Sequence, residues 1–187
     1  AGNGHVGLAA LLETGQVRKI ICSFPRSSHS EVFDAMYIEG RIELDVVPQG
    51  TLAERIRAAG AGIGGFYTRT SVGTPLAEGK EHRTFNGREY VLEDPLHADF
   101  ALIKADLADR WGNLTYRLAA RNFGPIMCTA ADTTIVQVRR IVELGDISPV
   151  EVITPGIFVD RVVEVASPVS ERELIAQGIR YSEGKLK

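Results

Sequence analysis

Cysteine is scarce in this chain of 187 residues: Cys22 and Cys128 are the only two, and neither belongs to a C-x-x-C pair. Two thiols make no disulfide framework and no metal knuckle, so they read as reduced, buried residues of a cytoplasmic protein. Basic charge is not in excess. The 21 Lys and Arg are outnumbered by 24 Asp and Glu, for a net charge of −3, which argues against a nucleic-acid binder. No apolar run approaches the ~18 residues of a membrane helix, so no membrane partner is expected. There is no P-loop, no G-x-S-x-G elbow and no H-E-x-x-H. The four histidines, His5, His29, His82 and His97, share no metal-ligand spacing, and no metal is expected. No repeat or low-complexity tract appears.

What is present is an ordinary globular composition, 44% hydrophobic and 24% charged. A chain of this size buries about 70% of its unfolded surface without needing staples. It opens on Ala1 with no signal-peptide pattern. Ala1-Gly2-Asn3-Gly4 reads as a turn into a helix already inside a fold, as in a processed chain or a fragment.

The first third alternates helix and strand. Val6, Leu8, Leu11 and Leu12 have helical spacing and Gly15 stops them. Val17 to Phe24 reads as a buried strand, Val32 to Gly40 as a short helix, and Ile42 to Val47 as an alternating strand. Thr51 to Ala59 is the next helix, with Gly60 as its cap. This rhythm predicts an α/β fold with an open, mostly parallel sheet flanked by helices. The middle differs. Asn86-Gly87 between Arg83–Phe85 and Arg88–Leu92 is the signal of an inserted β-hairpin. Strands are predicted at 100–105, 114–117, 133–142 and 157–165, and a helix is predicted to begin at Pro125. Residues 1–165 read as one domain and 166–187 as a polar C-terminal tail.

Several groups could carry chemistry. Gly60-Ala61-Gly62-Ile63-Gly64-Gly65 satisfies G-x-G-x-x-G, but a helix precedes it and an extended stretch follows. A dinucleotide site needs the reverse order, so a close-packed backbone loop is the better reading. Ser27, Ser28 and Ser30 lie beside His29 and Asp34, yet neighbours in sequence rarely make triad geometry. Arg26 follows a predicted strand end, where open α/β sheets bind ligands. It either clamps a carboxylate or faces solvent. Gln49 follows another strand end and can donate an uncharged amide N–H to an oxyanion or carboxylate. Gly50-Thr51 opens the next helix and can offer free N–H groups to an anion.

The unit Val46-Val47-Pro48-Gln49-Gly50-Thr51-Leu52-Ala53-Glu54-Arg55-Ile56-Arg57 resembles the signature of the A subunit of family I CoA-transferases. The resemblance continues through Phe66-Tyr67-Thr68, Val72-Gly73-Thr74, Asp99 to Ala105, Gly112-Asn113-Leu114-Thr115-Tyr116-Arg117, Ala120-Arg121-Asn122-Phe123 and Thr154-Pro155-Gly156-Ile157. It covers residues 1 to 165. Within the family, Cys22 to Arg26, Leu96 to Phe100, Asp109 to Arg117 and Arg121 to Met127 are most similar to the branch acting on 3-oxoadipate. Departures are Arg69 and Ser71, where the family has proline and glycine, and Cys128, where it has a small apolar residue. The resemblance also implies a front segment, bearing a glycine loop, that is missing ahead of Ala1.

The resemblance implies transfer of CoA from succinyl-CoA to a 3-oxo acid through a glutamyl-CoA thioester. The glutamate belongs to an S-E-N-G motif on a partner B subunit, and this chain has no such motif. Glu54, Glu78, Glu81 and Glu93 lie in other contexts. The chain is then expected to supply Gln49 as a polar donor, with Gly50, Phe66, Thr68 and Thr70 lining the substrate site. Arg26 is an additional candidate for a dicarboxylate's far end. The CoA thioester would be substrate, with no permanently bound cofactor. The partners would be the CoA-transferase B subunit, acyl-CoA and carboxylic acids. The alternatives are the corresponding chain of an acetate or acetoacetate-type transferase and a non-catalytic ligand-sensing domain.

Overall fold

The computed structural model describes residues 2–27 and 29–181. Helix α1 (Gly7–Glu13) buries Ala9, Ala10 and Leu12. It ends as the sequence requires: Gly15 sits at φ +71°, and the N–H groups of Gly15 and Gln16 return to the carbonyls of Leu12 and Leu11. Strand β1 (Lys19–Cys22), helix α2 (Glu31–Ile38) and strand β2 (Glu43–Val46) follow. The strands are parallel, with Lys19 opposite Glu43 and Cys22 opposite Val46. Leu12, Ile20, Phe33, Met36 and Ile42 form the core of this unit. The predicted strand from Val17 to Phe24 shortens to four residues, since β2 offers only four partners.

Helix α3 (Gln49–Gly60) crosses into a second unit, which runs from Gly50 to Pro168. There β3 (Phe66–Thr68), β4 (His82–Phe85) and β5 (Arg88–Glu93) form an antiparallel sheet in the order β3-β5-β4. Asn86 and Gly87 both take positive φ, 49° and 72°, as a type I′ turn demands. The remaining elements are β6 (Ala98–Lys104), β7 (Leu107–Asp109), α4 (Gly124–Cys128), β8 (Ala131–Val138), β9 (Arg140–Val142) and β10 (Arg161–Glu164). Strands β10, β8 and β6 make a parallel sheet, and β7 pairs parallel with β9. Ala101, Ile103, Ala105, Val136 and Val138 alternate inward from β6, β8 and the residue after β6, and pack with Ala108, Leu114 and Cys128.

The α/β class with parallel strands and a hairpin insertion is as predicted, although the strands divide among small sheets. Three predicted strands change. The 133–142 run breaks at Arg139, whose N–H donates to Asp106 O, so the chain leaves β6 and joins β7. Of 114–117, only Leu114 pairs, bridging to Ala108 and Thr154, and a 3₁₀ turn follows at Leu118–Arg121. The last strand begins at Arg161 rather than Ile157, because Gly156–Phe158 is a 3₁₀ turn. Gly156 is indispensable there: a Cβ would stand 1.9 Å from Trp111 O.

The stretch predicted as a polar tail contains helix α5 (Glu171–Ala176), and its described residues from Val169 onward group with the first unit. Tyr181 N–H donates to His5 O at 3.1 Å. Residues 182–187 of that tail lie outside the described residues. No described helix is long and apolar enough to cross a membrane.

Candidate functional site

In the first unit, parallel pairing brings the carboxyl ends of β1 and β2 to the same sheet end, and Val47 N–H continues the ladder to Cys22 O at 3.0 Å. Arg26 follows β1 and Gln49 follows β2, so two sequence candidates share the place where such sheets bind ligands. The Arg26 guanidinium is not idle. Its Nη2 donates to Asp34 Oδ2, in the first turn of α2, at 2.9 Å. This ion pair is largely exposed and worth no more than about 1 kcal/mol, and it leaves the guanidinium's other N–H donors available.

Gln49 and Gly50 are exposed at the start of α3. The first N–H groups of a helix have no intrahelical acceptor, so the amide side chain stands beside backbone donors. Thr51, in the same turn, is buried, and its hydroxyl has no partner among the described residues. Among the described residues the serine-histidine arrangement does not form. Ser27 Oγ bonds Asn3 Oδ1 at 2.6 Å, Ser30 Oγ bonds Ser27 O at 2.7 Å, and Asp34 is held by Arg26. Ser28 lies outside the described residues.

In the second unit, Phe66 and Thr68 lie on β3, opposite Glu93 and Val91 of β5. Thr70 N–H donates to Thr68 Oγ1 at 3.2 Å. The loop then closes on Ser71 O, which accepts from Thr74 N–H at 3.0 Å and from Thr74 Oγ1 at 2.7 Å. Ser71, standing where the resembling family has glycine, sits at φ +79°. The preceding glycine run is a helix stop. Gly62 and Ile63 N–H return to Ala59 and Ala58 O, and Gly62 at φ +68° takes the left-handed position predicted for Gly60. Gly60 instead permits close packing, since a Cβ there would meet Thr129 Oγ1 at 2.0 Å.

The glutamates are committed or exposed. Glu93 is 2% exposed and paired with Lys80 at 2.5 Å. Glu54 pairs with Arg57 at 2.8 Å and raises the guanidinium's pKa, mainly through the hydrogen bond. Glu81 accepts the Tyr67 hydroxyl, which raises the phenol's pKa. Glu78 is exposed. Sequence reasoning missed the Lys80–Glu93 pair, although alternation with Val91 puts Glu93 on the inward face of β5. It also missed a buried cluster in which Tyr116 Oη meets Thr154 Oγ1 at 2.8 Å and Cys128 Sγ at 3.6 Å. Burial pushes both the phenol and the thiol pKa up, so Cys128 is a core residue rather than a nucleophile.

Arg26 and Gln49 thus follow the carboxyl ends of two adjacent parallel strands of an α/β unit, and comparison with known proteins identifies the family. The chain belongs to the coenzyme A transferase family, whose model matches residues 1–165. It is 68% identical over 166 residues to the A subunit of the 3-oxoadipate CoA-transferase of Pseudomonas putida, covering 89% of this chain and 72% of that one. It is 50% identical over 180 residues to the A subunit of the succinyl-CoA:3-ketoacid coenzyme A transferase of Xanthomonas campestris pv. campestris strain B100, covering 95% and 74%. In fold it resembles an acyl-CoA transferase of Escherichia coli O157:H7 solved as a thioester complex with CoA. The TM-score is 0.74 at 22% identity, over 90% of this chain and 40% of that longer one.

Proposed function

We propose that this chain is the A subunit of a CoA-transferase that moves CoA from succinyl-CoA to a 3-oxo acid, with 3-oxoadipate preferred. The observation that carries the reading is 68% identity to a chain of that name. The committed state of Glu93, Glu54 and Glu81 supports a nucleophile on the partner B subunit.

A partner glutamate carboxylate attacks the acyl-CoA carbonyl and expels CoA thiolate, leaving an acyl anhydride. The thiolate attacks the glutamyl carbon, releases the donor carboxylate and forms a glutamyl-CoA thioester. The acceptor carboxylate attacks this thioester and the steps reverse, which is covalent ping-pong catalysis. Negative charge develops on a carbonyl oxygen at each attack, and the Gln49 amide donates to that oxygen. Gly50, Phe66, Thr68 and Thr70 line the substrate and exclude water, and Arg26 grips the distal carboxylate of a dicarboxylic acid. The CoA thioester is consumed and remade as substrate, and the scheme calls for no resident cofactor. Two free cysteines fit a reducing cytoplasm.

Co-expression with a partner carrying S-E-N-G, followed by transfer from succinyl-CoA to a panel of 3-oxo acids, tests the reading. Formation of 3-oxoadipyl-CoA supports it, and no transfer to any acid refutes it. The 50% identity to a chain of a succinyl-CoA:3-ketoacid transferase supports a second reading, in which acetoacetate is the better acceptor.

A further inference from the structure

Arg69 stands between Thr68 and Thr70, the two threonines of the candidate substrate wall. Thr70 N–H folds back to Thr68 Oγ1 at 3.2 Å, so Arg69 is the apex of a tight turn. Its own carbonyl accepts from Val72 N–H at 3.3 Å. Arg69 is exposed and makes no hydrogen bond or ion pair with any described residue. Arg26, by contrast, is held by Asp34 at 2.9 Å.

The turn keeps its shape at a cost. Ser71 holds φ +79°, and its buried hydroxyl has no partner among the described residues. Thr74 fastens Ser71 O twice, from its N–H at 3.0 Å and its Oγ1 at 2.7 Å. Backbone strain fixed in this way collects at ligand clamps. Ser71 and Arg69 are also the two positions where the resembling family has glycine and proline. The departure at Ser71 keeps a backbone that glycine adopts freely. The departure at Arg69 adds a charge and a planar fork of donors.

The reaction has a use for that fork. In ping-pong transfer the donor and acceptor acids meet the same nucleophile in turn. 3-Oxoadipate is two carbons longer than succinate, and each carbon–carbon bond is about 1.5 Å. A guanidinium set at the right distance for one distal carboxylate is wrongly placed for the other.

Resting on the CoA-transferase reading, we propose that Arg69 binds the distal carboxylate of the longer acid and so selects dicarboxylic acceptors. The carboxylate meets the guanidinium through two parallel N–H···O bonds. The shorter acid, succinate, is left to Arg26.

The test uses this chain co-expressed with its B partner and succinyl-CoA as donor. Two acceptors are compared, 3-oxoadipate and 3-oxohexanoate, which has the same length and lacks the distal carboxylate. In Arg69→Gln the ratio of kcat/KM for 3-oxoadipate to that for 3-oxohexanoate should fall at least tenfold. Arg69→Lys, which keeps the charge, should lose less of the ratio than Arg69→Gln. A fall shared equally by both acids leaves the ratio unchanged and overturns the proposal, while the transfer itself still upholds the enzymatic reading.

Calorimetric titration of the same complex with adipate and hexanoate gives a readout that needs no turnover. Adipate binding that Arg69→Gln weakens at least tenfold, with hexanoate binding unaltered, upholds the site even if no CoA transfer is found. Adipate bound equally well by the parent complex and by Arg69→Gln overturns it, whatever the activity.

Discussion

Lys80 Nζ lies 2.5 Å from Glu93 Oε1, and the Glu93 side chain is 2% exposed. Glu93 is the one buried glutamate among the described residues. A carboxylate so enclosed and matched with an ammonium cannot reach an acyl carbonyl. The pair therefore bears on mechanism as well as stability: the group that looks most like a sheltered nucleophile is a strut between β5 and the turn before β4.

Breaking that strut should be expensive. Lys80→Met leaves a buried carboxylate without its cation and should destabilise the chain by about 3 kcal/mol, read by urea unfolding. Lys80→Met/Glu93→Leu removes both charges and should recover most of the loss. A double variant as unstable as the single one would show that the pair contributes through packing alone.

Ser71 makes the opposite case. Its φ of +79° is a glycine conformation, and its buried hydroxyl has no partner among the described residues. Ser71→Gly should stabilise the chain by about 1 kcal/mol, relief of left-handed strain exceeding the extra freedom of the unfolded chain. A lower unfolding midpoint would contradict this.

His82 should titrate above the ordinary histidine value, because Glu89, on the neighbouring strand, accepts from its ring at 2.8 Å and the Ala77 carbonyl accepts as well. A folded-state pKa above the unfolded one of about 6.5 gives stability that is complete below that pH. It is lost as pH rises through the higher folded-state value. The imidazole NMR titration should show the raised midpoint, and Glu89→Gln should return it toward 6.5. A midpoint unmoved by Glu89→Gln would remove Glu89 as the cause.

Arg26→Ala should discriminate among acids. If the guanidinium grips a distal carboxylate, KM for 3-oxoadipate or succinyl-CoA rises at least about tenfold, the size of one charge-assisted hydrogen bond of roughly 1.5 kcal/mol. KM for acetoacetate, which has no second carboxylate, stays within twofold. Equal effects on both would reduce Arg26 to its ion pair with Asp34.

Local signals in the sequence carried much of this. The helix stop at Gly15, the Asn86-Gly87 hairpin and the parallel β1–β2 pairing all follow from period and turn chemistry. So does the placing of Arg26 and Gln49 after adjacent strands. What escaped depends on partners distant in sequence. The break at Arg139 is set by Asp106, and the short pairing at Leu114 by Thr154. The tie of Arg26 to Asp34 needs the angle between a loop and a helix.

The central claim, that the attacking carboxylate sits on another polypeptide, is tested by intact-mass spectrometry of the two co-expressed chains after incubation with succinyl-CoA. The account predicts that the mass of CoA less water appears on the partner chain, is removed by borohydride, and is absent from this one. A CoA thioester on any side chain of this polypeptide, with or without the partner present, would contradict it.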